Sequence, residues 1–201
     1  MKIELIESAG IVPALFGIGL SHGLTSGKKT DDIHPFAEPR DENLWDRLTH
    51  VATKLAPKDG GHNKFLRQIV FWWDATFPRF LWQEVDQYRI GVTTQSESTM
   101  HTIAKRNLTY GDFEEPISPS LLNYLNDVIK KYNETNDLRL FMWLKNILPE
   151  GFLQRRIWSL SLANMKNIHA QRKSHRLPQW QTICSSFVEA TPEFLRGVYN
   201  D

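Results

Sequence analysis

The sequence predicts a single α+β domain in which helices dominate and a smaller sheet comes from the N-terminal half. The chain has 201 residues, enough for one well-packed domain but too few for two. Apolar residues make up 41% of the chain, including seven tryptophans and eleven phenylalanines, which predicts a substantial core. Helical periodicity prevails after residue 116, whereas short alternating or β-branched runs precede residue 95.

The N-terminal segment predicts strands and a long loop. Residues 2–6 alternate polar and apolar side chains, as a strand does. Residues 11–20 are apolar but contain a proline and two glycines, and the run is too short for a membrane span. We therefore expect an early strand followed by a glycine-rich loop. Residues 16–42 are rich in glycine, proline and charge, which predicts one long irregular loop, often a lid or binding loop.

The remaining elements follow from periodicity and from turn residues. Serine before proline at Ser118-Pro119 is a strong helix start. Up to residue 94, the sequence predicts a helix over 42–55, a turn over 56–61, a central strand over 65–73 broken at Phe77-Pro78, a helix over 79–88 and a strand over 90–94. After that, it predicts helices starting at 118, over 137–147, from 154 to about 172 and over 179–189. In the helix from residue 154, Trp158, Leu162, Met165, His169 and Arg172 are expected to share one face.

The charge balance, the cysteine content and the missing motifs argue against several classes of function. The 24 basic and 23 acidic residues nearly cancel, so no global field favours nucleic acid or a membrane surface. Cys184 is the single cysteine, so an intramolecular disulfide is excluded, and this fits a reducing cytoplasm. The apolar run around it is typical of a buried, inert thiol. The sequence contains no CxxC, HExxH or Walker-type motif, so we expect no metal site.

A basic cluster follows the predicted helix that ends near Arg172. Lys173, His175 and Arg176 stand close to Arg172, and guanidinium groups match phosphate oxygens in bidentate geometry. The alternative is a core helix whose last-turn cation favours the dipole, followed by solvated charges. Periodicity alone favours the core helix, and a basic cluster of this kind is more often solvated than bound to a phosphate.

Four landmarks in this region resemble the flavin-dependent thymidylate synthases (ThyX). They are Leu148-Pro149-Glu150-Gly151, Ile157-Trp158, Arg172 and Gln179-Trp180-Gln181, in the order and spacing of that family. The family's arginine at this place contacts the nucleotide base, so the resemblance implies a catalytic and substrate-binding role for Arg172. Just before the Leu-Pro turn the family tends to have an arginine for the nucleotide, and the resemblance implies that role for Lys145.

A second stretch, residues 79–101, resembles the family's signature region in a degraded form. Gln83-Glu84 stands for its His-Gln pair, and Gln87-Tyr88-Arg89 stands for its Arg-His-Arg core. The resemblance implies flavin contacts for Gln87, Tyr88 and Arg89, and substrate contacts for Gln83 and Glu84. Ser96 and Ser98, on either side of the position of the family's serine, would orient the nucleotide and share in catalysis. Ser98 is also a common kind of helix N-cap, and the two roles are compatible.

Two further positions complete the set of candidate residues. His62, after the Gly60-Gly61 turn, stands where the family has a histidine before its core strand, which implies a flavin contact. A surface histidine beside a glycine turn is an equal alternative. The segment Ser161–Asn164 replaces the family's Asn-Leu-Arg-Ser, and Asn167 replaces a histidine of the flavin site.

The resemblance covers roughly residues 60–185 and implies a fold and an activity. The fold would have a central, mostly antiparallel sheet flanked by several helices. The activity would be reductive methylation of dUMP to dTMP with FAD, methylenetetrahydrofolate and NADPH, in a homotetramer with sites at subunit interfaces. The string around Asp86–Arg89 resembles a divergent, phage-type branch. The alternative is a descendant that keeps a pyrimidine-nucleotide pocket with altered or no flavin chemistry.

Overall fold

A four-stranded antiparallel sheet organises the chain in a computed structural model that describes residues 1–34 and 40–200. The strands are β1 (Lys2–Ala9), β2 (Val70–Pro78), β3 (Val92–Ser96) and β4 (Leu153–Ser161), and their order in the sheet is β1-β2-β4-β3. Arg79 N donates to Phe152 O at 3.0 Å and Leu162 N donates to Ile69 O at 2.8 Å, so β2 and β4 run in opposite directions. The predicted α+β class with a mostly antiparallel sheet is confirmed.

Helices make up most of the rest of the described chain. They are α1 (Ile11–Ser21), α2 (Glu42–Leu55), α3 (Arg79–Val85), α4 (Thr99–Thr102), α5 (Pro119–Thr135), α6 (Leu138–Ile147), α7 (Leu162–Arg172) and α8 (Pro178–Ala190). Short 3-10 helices occupy Thr30–Ile33, Lys64–Arg67, Tyr110–Asp112 and Glu193–Tyr199. Among the described residues, no helix has the length and apolarity needed to span a membrane.

Contacts along the chain divide it into two compact units, which are described separately. The first unit comprises Met1–Ile3, Asp74–Gln87 and Thr94–Ile157. The second unit comprises the described residues of Glu4–Trp73, Tyr88–Thr93 and Trp158–Asp201. The single-domain organisation expected from length stays a prediction.

The first unit contains the α5–α6 hairpin and its own apolar cluster. Ser118 Oγ accepts from Leu121 N at 3.3 Å and caps α5, as the sequence predicted. Asn136 ends that helix in the left-handed region at φ 52°. The buried side chains of the hairpin pack together, and they include Leu122, Leu125, Val128, Ile129, Phe141 and Leu144.

The second unit packs large aromatic side chains among its helices. The ring centroids of Trp73 and Phe187 are 5.5 Å apart, and those of Trp158 and Phe187 are 5.7 Å apart. In this unit α1 packs on α2, and α7 packs on α8. The α2 helix has the predicted bounds, and Asp41 Oδ1 accepts from Leu44 N at 2.9 Å to cap it.

The prediction of an early strand and loop over residues 11–20 was wrong, because these residues form α1. Ala14, Leu15 and Ile18 are buried on one face of this helix. A Cβ at Gly19 would lie 2.4 Å from Thr25 Cγ2, so this glycine serves close packing and is not part of a loop. The predicted loop over 16–42 therefore starts after α1 and contains the turn Thr30–Ile33. Its residues 35–39 lie outside the described part of the chain.

The prediction of one helix from residue 154 to about 172 was also wrong. The chain forms β4 up to Ser161 and α7 from Leu162. Trp158 lies in the strand, so it does not share a helical face with Arg172. Ser161 Oγ accepts from Asn164 N at 3.3 Å, and this cap starts α7 where the strand ends.

Smaller corrections move three element boundaries. The predicted strand over 65–73 begins at Val70, after a 3-10 turn, and continues through Pro78. The predicted helix over 79–88 ends at Val85, so Tyr88 lies beyond it. The predicted strand over 90–94 is β3, at 92–96. Ser98 does precede α4 as its N-cap residue, but its side chain makes no capping hydrogen bond.

Candidate functional site

Arg172, the central residue predicted for the site, lies against two aromatic rings in the second unit. It occupies the last turn of α7 and is half-buried. Its Cζ is 4.9 Å from the ring centroid of Trp180 and 5.6 Å from that of Tyr88. Its Nε donates a hydrogen bond to the Tyr88 hydroxyl at 2.7 Å. Hydrogen bonding and cation–π attraction therefore fix the orientation of the guanidinium group.

The Tyr88 hydroxyl that accepts from Arg172 also starts a chain of hydrogen bonds along α7. Tyr88 donates to Gln171 Oε1 at 3.1 Å, and Gln171 Nε2 donates to Asn167 Oδ1 at 2.9 Å. The structure thus brings together three of the predicted residues, Tyr88, Asn167 and Arg172. We call Tyr88, Asn167, Gln171, Arg172 and Trp180 the arginine cluster.

Trp180 is the buried residue against which Arg172 and Tyr88 pack in the arginine cluster. Its side chain is fully buried in α8, near the Pro178 that starts this helix. Tyr88 contacts it edge-on, with centroids 6.1 Å apart and an interplanar angle of 72°. His175 makes a similar edge contact at 6.5 Å, and its Nδ1 accepts from Leu177 N at 3.2 Å.

The second set of predicted residues lies in the first unit, around the segment that joins β3 to α4. Ser96 ends β3 and Ser98 precedes α4, and both are exposed. Lys145 Nζ, from α6, donates to Thr99 Oγ1. Burial, together with the nearby Arg79 charge, lowers the pKa of Lys145 from its ordinary value. Within the described residues Lys145 forms no ion pair with a carboxylate.

A groove of about 570 Å³ lies beside this segment in the first unit. Its polar wall includes Glu97, Thr99 and Gln154, and its apolar side includes Ile103, Leu108 and Phe152. A mixed lining of this size suits a ligand with a flat apolar part and polar edges. We call it the serine-loop groove.

The cations of the serine-loop groove are mostly held by carboxylates. Arg106 binds both oxygens of Asp112, and Nη1 lies 2.8 Å from Oδ2. This contact lowers the pKa of Asp112 and raises that of Arg106. Arg155 Nε donates to Asp74 Oδ1 at 2.7 Å and lowers the pKa of Asp74. These pairs neutralise much of the charge along the groove.

The other predicted residues are on the surface of their units. Gln83 Nε2 donates to Glu150 Oε2 at 3.0 Å, and Glu84 lies partly exposed on α3. Gln87 is exposed just after that helix, in the first unit. In the second unit Arg89 and His62 are exposed, and His62 follows two glycines with positive φ. In the part of the chain that the structure describes, no contact places His62 in the arginine cluster.

Sequence analysis missed several residues that shape these sites. Gln171 was not singled out, although it stands beside Arg172. The Arg106–Asp112 pair was missed as well, and only their spacing of six residues offers a signal. Arg156 Nη1 donates to Asp86 Oδ1 at 2.9 Å, and its Cζ lies 4.3 Å from the Trp82 ring centroid. Residues 70 positions apart give no local signal for such a contact.

Cys184 is buried, as the sequence predicted, and free of any disulfide. Burial raises its pKa to about 11. A thiol in this state is a poor nucleophile at neutral pH.

Comparisons with known proteins show the fold. No family model matches the sequence, and no curated protein matches it. Among solved structures, the chain is similar to the flavin-dependent thymidylate synthase ThyX from Helicobacter pylori complexed with FAD and dUMP. That likeness has a TM-score of 0.74 at 12% identity and covers 100% of this chain and 99% of the other. A second structure of ThyX from Helicobacter pylori with FAD and dUMP gives a TM-score of 0.73 at 13% identity, over 100% of this chain and 98% of the other. The predicted ThyX-like fold is confirmed.

Proposed function

We propose that this protein is a flavin-dependent thymidylate synthase-like enzyme that methylates dUMP reductively to dTMP, using FAD and methylenetetrahydrofolate. The observation that carries the proposal is the arginine cluster. It holds Arg172, at the place of the family's base-binding arginine, in one orientation between Tyr88 and Trp180. The likeness to solved ThyX structures supports the proposal at the level of the fold.

Arg172 would act on the pyrimidine ring as an electrostatic catalyst. A guanidinium group fixed beside a uracil carbonyl stabilises the negative charge that builds on the ring when C5 becomes nucleophilic. Because Tyr88 and Trp180 already hold the group, little reorganisation is needed during the reaction. We assign Arg172 to both catalysis and substrate binding.

In the first unit, we assign the segment around Ser98 to binding a nucleotide. The Lys145 ammonium, with Thr99 as its neutral partner, offers a positive charge to a phosphate. Ser96 and Ser98 are exposed and can orient the nucleotide through their hydroxyl groups. We assign Gln83 and Glu84, on α3, to the polar groups of the substrate.

The residues assigned to FAD fit its chemistry. Gln87, Arg89, His62 and Asn167 offer carboxamide, guanidinium and imidazole groups, all on exposed side chains. The guanidinium suits a pyrophosphate, and the other groups suit the polar edge of a flavin ring. Tyr88 offers an aromatic ring to the flavin. When bound, FAD supplies the redox chemistry and the relay of the one-carbon unit, with NADPH as reductant. The protein's own residues bind and orient the nucleotide.

Assembly and location complete the proposal. We infer a homotetramer from the resemblance to the family, in which subunits that share each site would help a chain of 201 residues to enclose two large ligands. We infer a cytoplasmic enzyme from the single cysteine, and a divergent, phage-type member from the segment around Asp86–Arg89.

A second candidate is a relative that binds a pyrimidine nucleotide but has altered or no flavin chemistry. One observation favours it. Tyr88 and Asn167 stand where the family uses other residues at its flavin site, and both are engaged through Gln171 in the hydrogen-bond chain of the arginine cluster. Side chains used in this way support Arg172 and are less available to a cofactor.

An assay of dTMP formation tests the proposal. Purified protein is given dUMP, FAD, methylenetetrahydrofolate and NADPH, and dTMP is measured by chromatography, with reactions lacking FAD as the control. The proposal predicts dTMP only in the complete mixture and none with Arg172→Ala. Binding of dUMP without any dTMP would favour the second candidate, and the absence of both binding and turnover would refute both.

A further inference from the structure

We propose that Asn164 is a positioning residue that fixes Arg172 by pinning the backbone of the Tyr88 segment to the start of α7. This inference rests on the proposed function, since it names a residue that supports the same site. Asn164 hydrogen-bonds to Ser161 and to the backbone carbonyl of Ile90. Its effect would pass through the backbone at Ile90.

Asn164 makes different contacts with the two ends of its carboxamide. Oδ1 accepts from Ser161 Oγ at 2.6 Å and from Ser161 N at 3.2 Å, which completes the cap of α7. Nδ2 donates to the carbonyl oxygen of Ile90 at 2.8 Å. Only one orientation of the carboxamide satisfies both sets of partners, because one end faces donors and the other faces an acceptor. Asn164 therefore ties the residue 88–93 segment to the helix.

The side chains around Ile90 are exposed. The Ile90 side chain is 91% exposed, so it contributes no burial. Arg89 and Gly91 are also exposed, and Gly91 adopts φ 70°, where most residues are strained. The hydrogen bond from Asn164 Nδ2 therefore constrains the backbone two residues after Tyr88.

Asn164, which contacts Ile90, and Arg172, which contacts Tyr88, both lie on α7. Asn164 and Arg172 are eight positions apart on one helix, about 12 Å along its axis at 1.5 Å per residue. Tyr88 is two positions before the pinned carbonyl and accepts from Arg172 Nε at 2.7 Å. The helix sets the spacing between the two contacts, so the pin at Ile90 determines where the Tyr88 hydroxyl meets Arg172.

Two variants separate this role from helix stability. Asn164→Asp keeps an oxygen for the Ser161 donors and places a carboxylate in the first turn, which helices favour. It also replaces the donor to Ile90 with an oxygen that repels the carbonyl. Ser161→Ala is the matched control, because it removes the hydroxyl of the cap but keeps Ser161 N as a donor to Asn164 Oδ1 and keeps Asn164 Nδ2 as the donor to Ile90.

The first readout needs no ligand. The Arg172 Nε–H signal in a ¹⁵N NMR spectrum, identified by its loss in Arg172→Ala, reports the hydrogen bond to Tyr88. We expect its exchange with water to be about tenfold faster in Asn164→Asp, as in Tyr88→Phe, which corresponds to the loss of one hydrogen bond. In Ser161→Ala the exchange should match wild type although the unfolding midpoint falls.

The second readout is dUMP affinity, measured by calorimetry. Asn164→Asp should weaken binding by about as much as Tyr88→Phe, and the double variant should be no weaker than either single one. Unchanged Arg172 exchange in Asn164→Asp, or equal exchange effects of Asn164→Asp and Ser161→Ala, would overturn the positioning role. If wild type does not bind dUMP, the proposed function fails while the NMR result still decides this inference.

Discussion

The arginine cluster and the serine-loop groove hold positive charge in different ways. In the arginine cluster, Arg172 contacts the neutral side chains of Tyr88 and Trp180. In the groove, Arg106 and Arg155 are paired with the carboxylates of Asp112 and Asp74. A carboxylate beside an arginine cancels most of its charge at a distance. The arginines of the groove therefore chiefly shape its wall, whereas the contacts of Arg172 with Tyr88 and Trp180 fix the orientation of its guanidinium group.

The largest effect should follow from removing the cation of the arginine cluster. We expect Arg172→Ala to weaken dUMP binding by roughly 100-fold, because a fixed charge beside the pyrimidine carbonyls is lost. Isothermal titration calorimetry measures the affinity, and circular dichroism checks the fold. Arg176→Ala, an exposed arginine of the same basic stretch, is the matched control and should bind as wild type does. Equal affinity of Arg172→Ala and Arg176→Ala would remove Arg172 from the site.

Tyr88→Phe should have the next largest effect. It keeps the ring against Trp180 but removes the hydroxyl that links Arg172 to Gln171. We expect dUMP affinity to fall about tenfold, the value of one hydrogen bond to a charged group. The unfolding midpoint should change little, because the ring contact remains. A large loss of stability with unchanged affinity would show that the hydroxyl serves only the fold.

Lys145→Ala tests the ammonium group that hydrogen-bonds to Thr99 of the serine-loop groove. We expect roughly fivefold weaker dUMP binding, because a partly exposed charge pair contributes about 1 kcal/mol. The effect should shrink as salt rises from low to physiological ionic strength. Deoxyuridine, which lacks the phosphate, is the control ligand and should bind both proteins equally. An equal loss for both ligands would place Lys145 away from the phosphate.

The smallest expected effect is the contribution of the Arg106–Asp112 ion pair, in the serine-loop groove, to the stability of the fold. Arg106 holds the pKa of Asp112 below its ordinary value. The ion pair therefore stabilises the folded protein at pH values where Asp112 is ionised in both the folded and the unfolded state. That stabilisation is present above about pH 4, the unfolded-state pKa, and is lost as pH falls through the lower folded-state pKa. Because the Arg106 side chain is 61% exposed, we expect less than about 1 kcal/mol.

Chemical denaturation of Asp112→Asn and wild type between pH 7 and pH 3 measures this contribution. The difference in free energy of unfolding should be constant near neutral pH and should shrink below pH 4. A difference that stays constant over the whole range would show that the ion pair does not stabilise the fold.

Local signals predicted much of the helical part of the fold. Ser118 caps α5 as its sequence context indicates, and the bounds of α2 agree with the prediction. The start of α7 was missed because Gln154–Ser161 pairs with strands far away in sequence, and this pairing overrides the helical spacing. The α1 helix was missed because Gly19 serves packing against Thr25 and Leu48, which the sequence alone does not show.

The candidate site was predictable only where a motif marked it. Arg172 and Trp180 belong to stretches that resemble a known family, and the structure brings them together. The bond between Arg172 and Tyr88 joins residues 84 positions apart, and local periodicity carries no information on such contacts. The same holds for Asn164, whose role depends on a carbonyl 74 positions away.

The most direct test of the central claim is a visible absorption spectrum of the protein titrated with FAD, with and without dUMP. A flavin that binds in the protein's site changes its absorption when the nucleotide arrives beside it. We predict bound flavin with a spectrum that shifts on addition of dUMP, and no such shift in Arg172→Ala. No flavin binding under any condition, together with measurable dUMP binding, would contradict the synthase assignment and leave a nucleotide-binding relative.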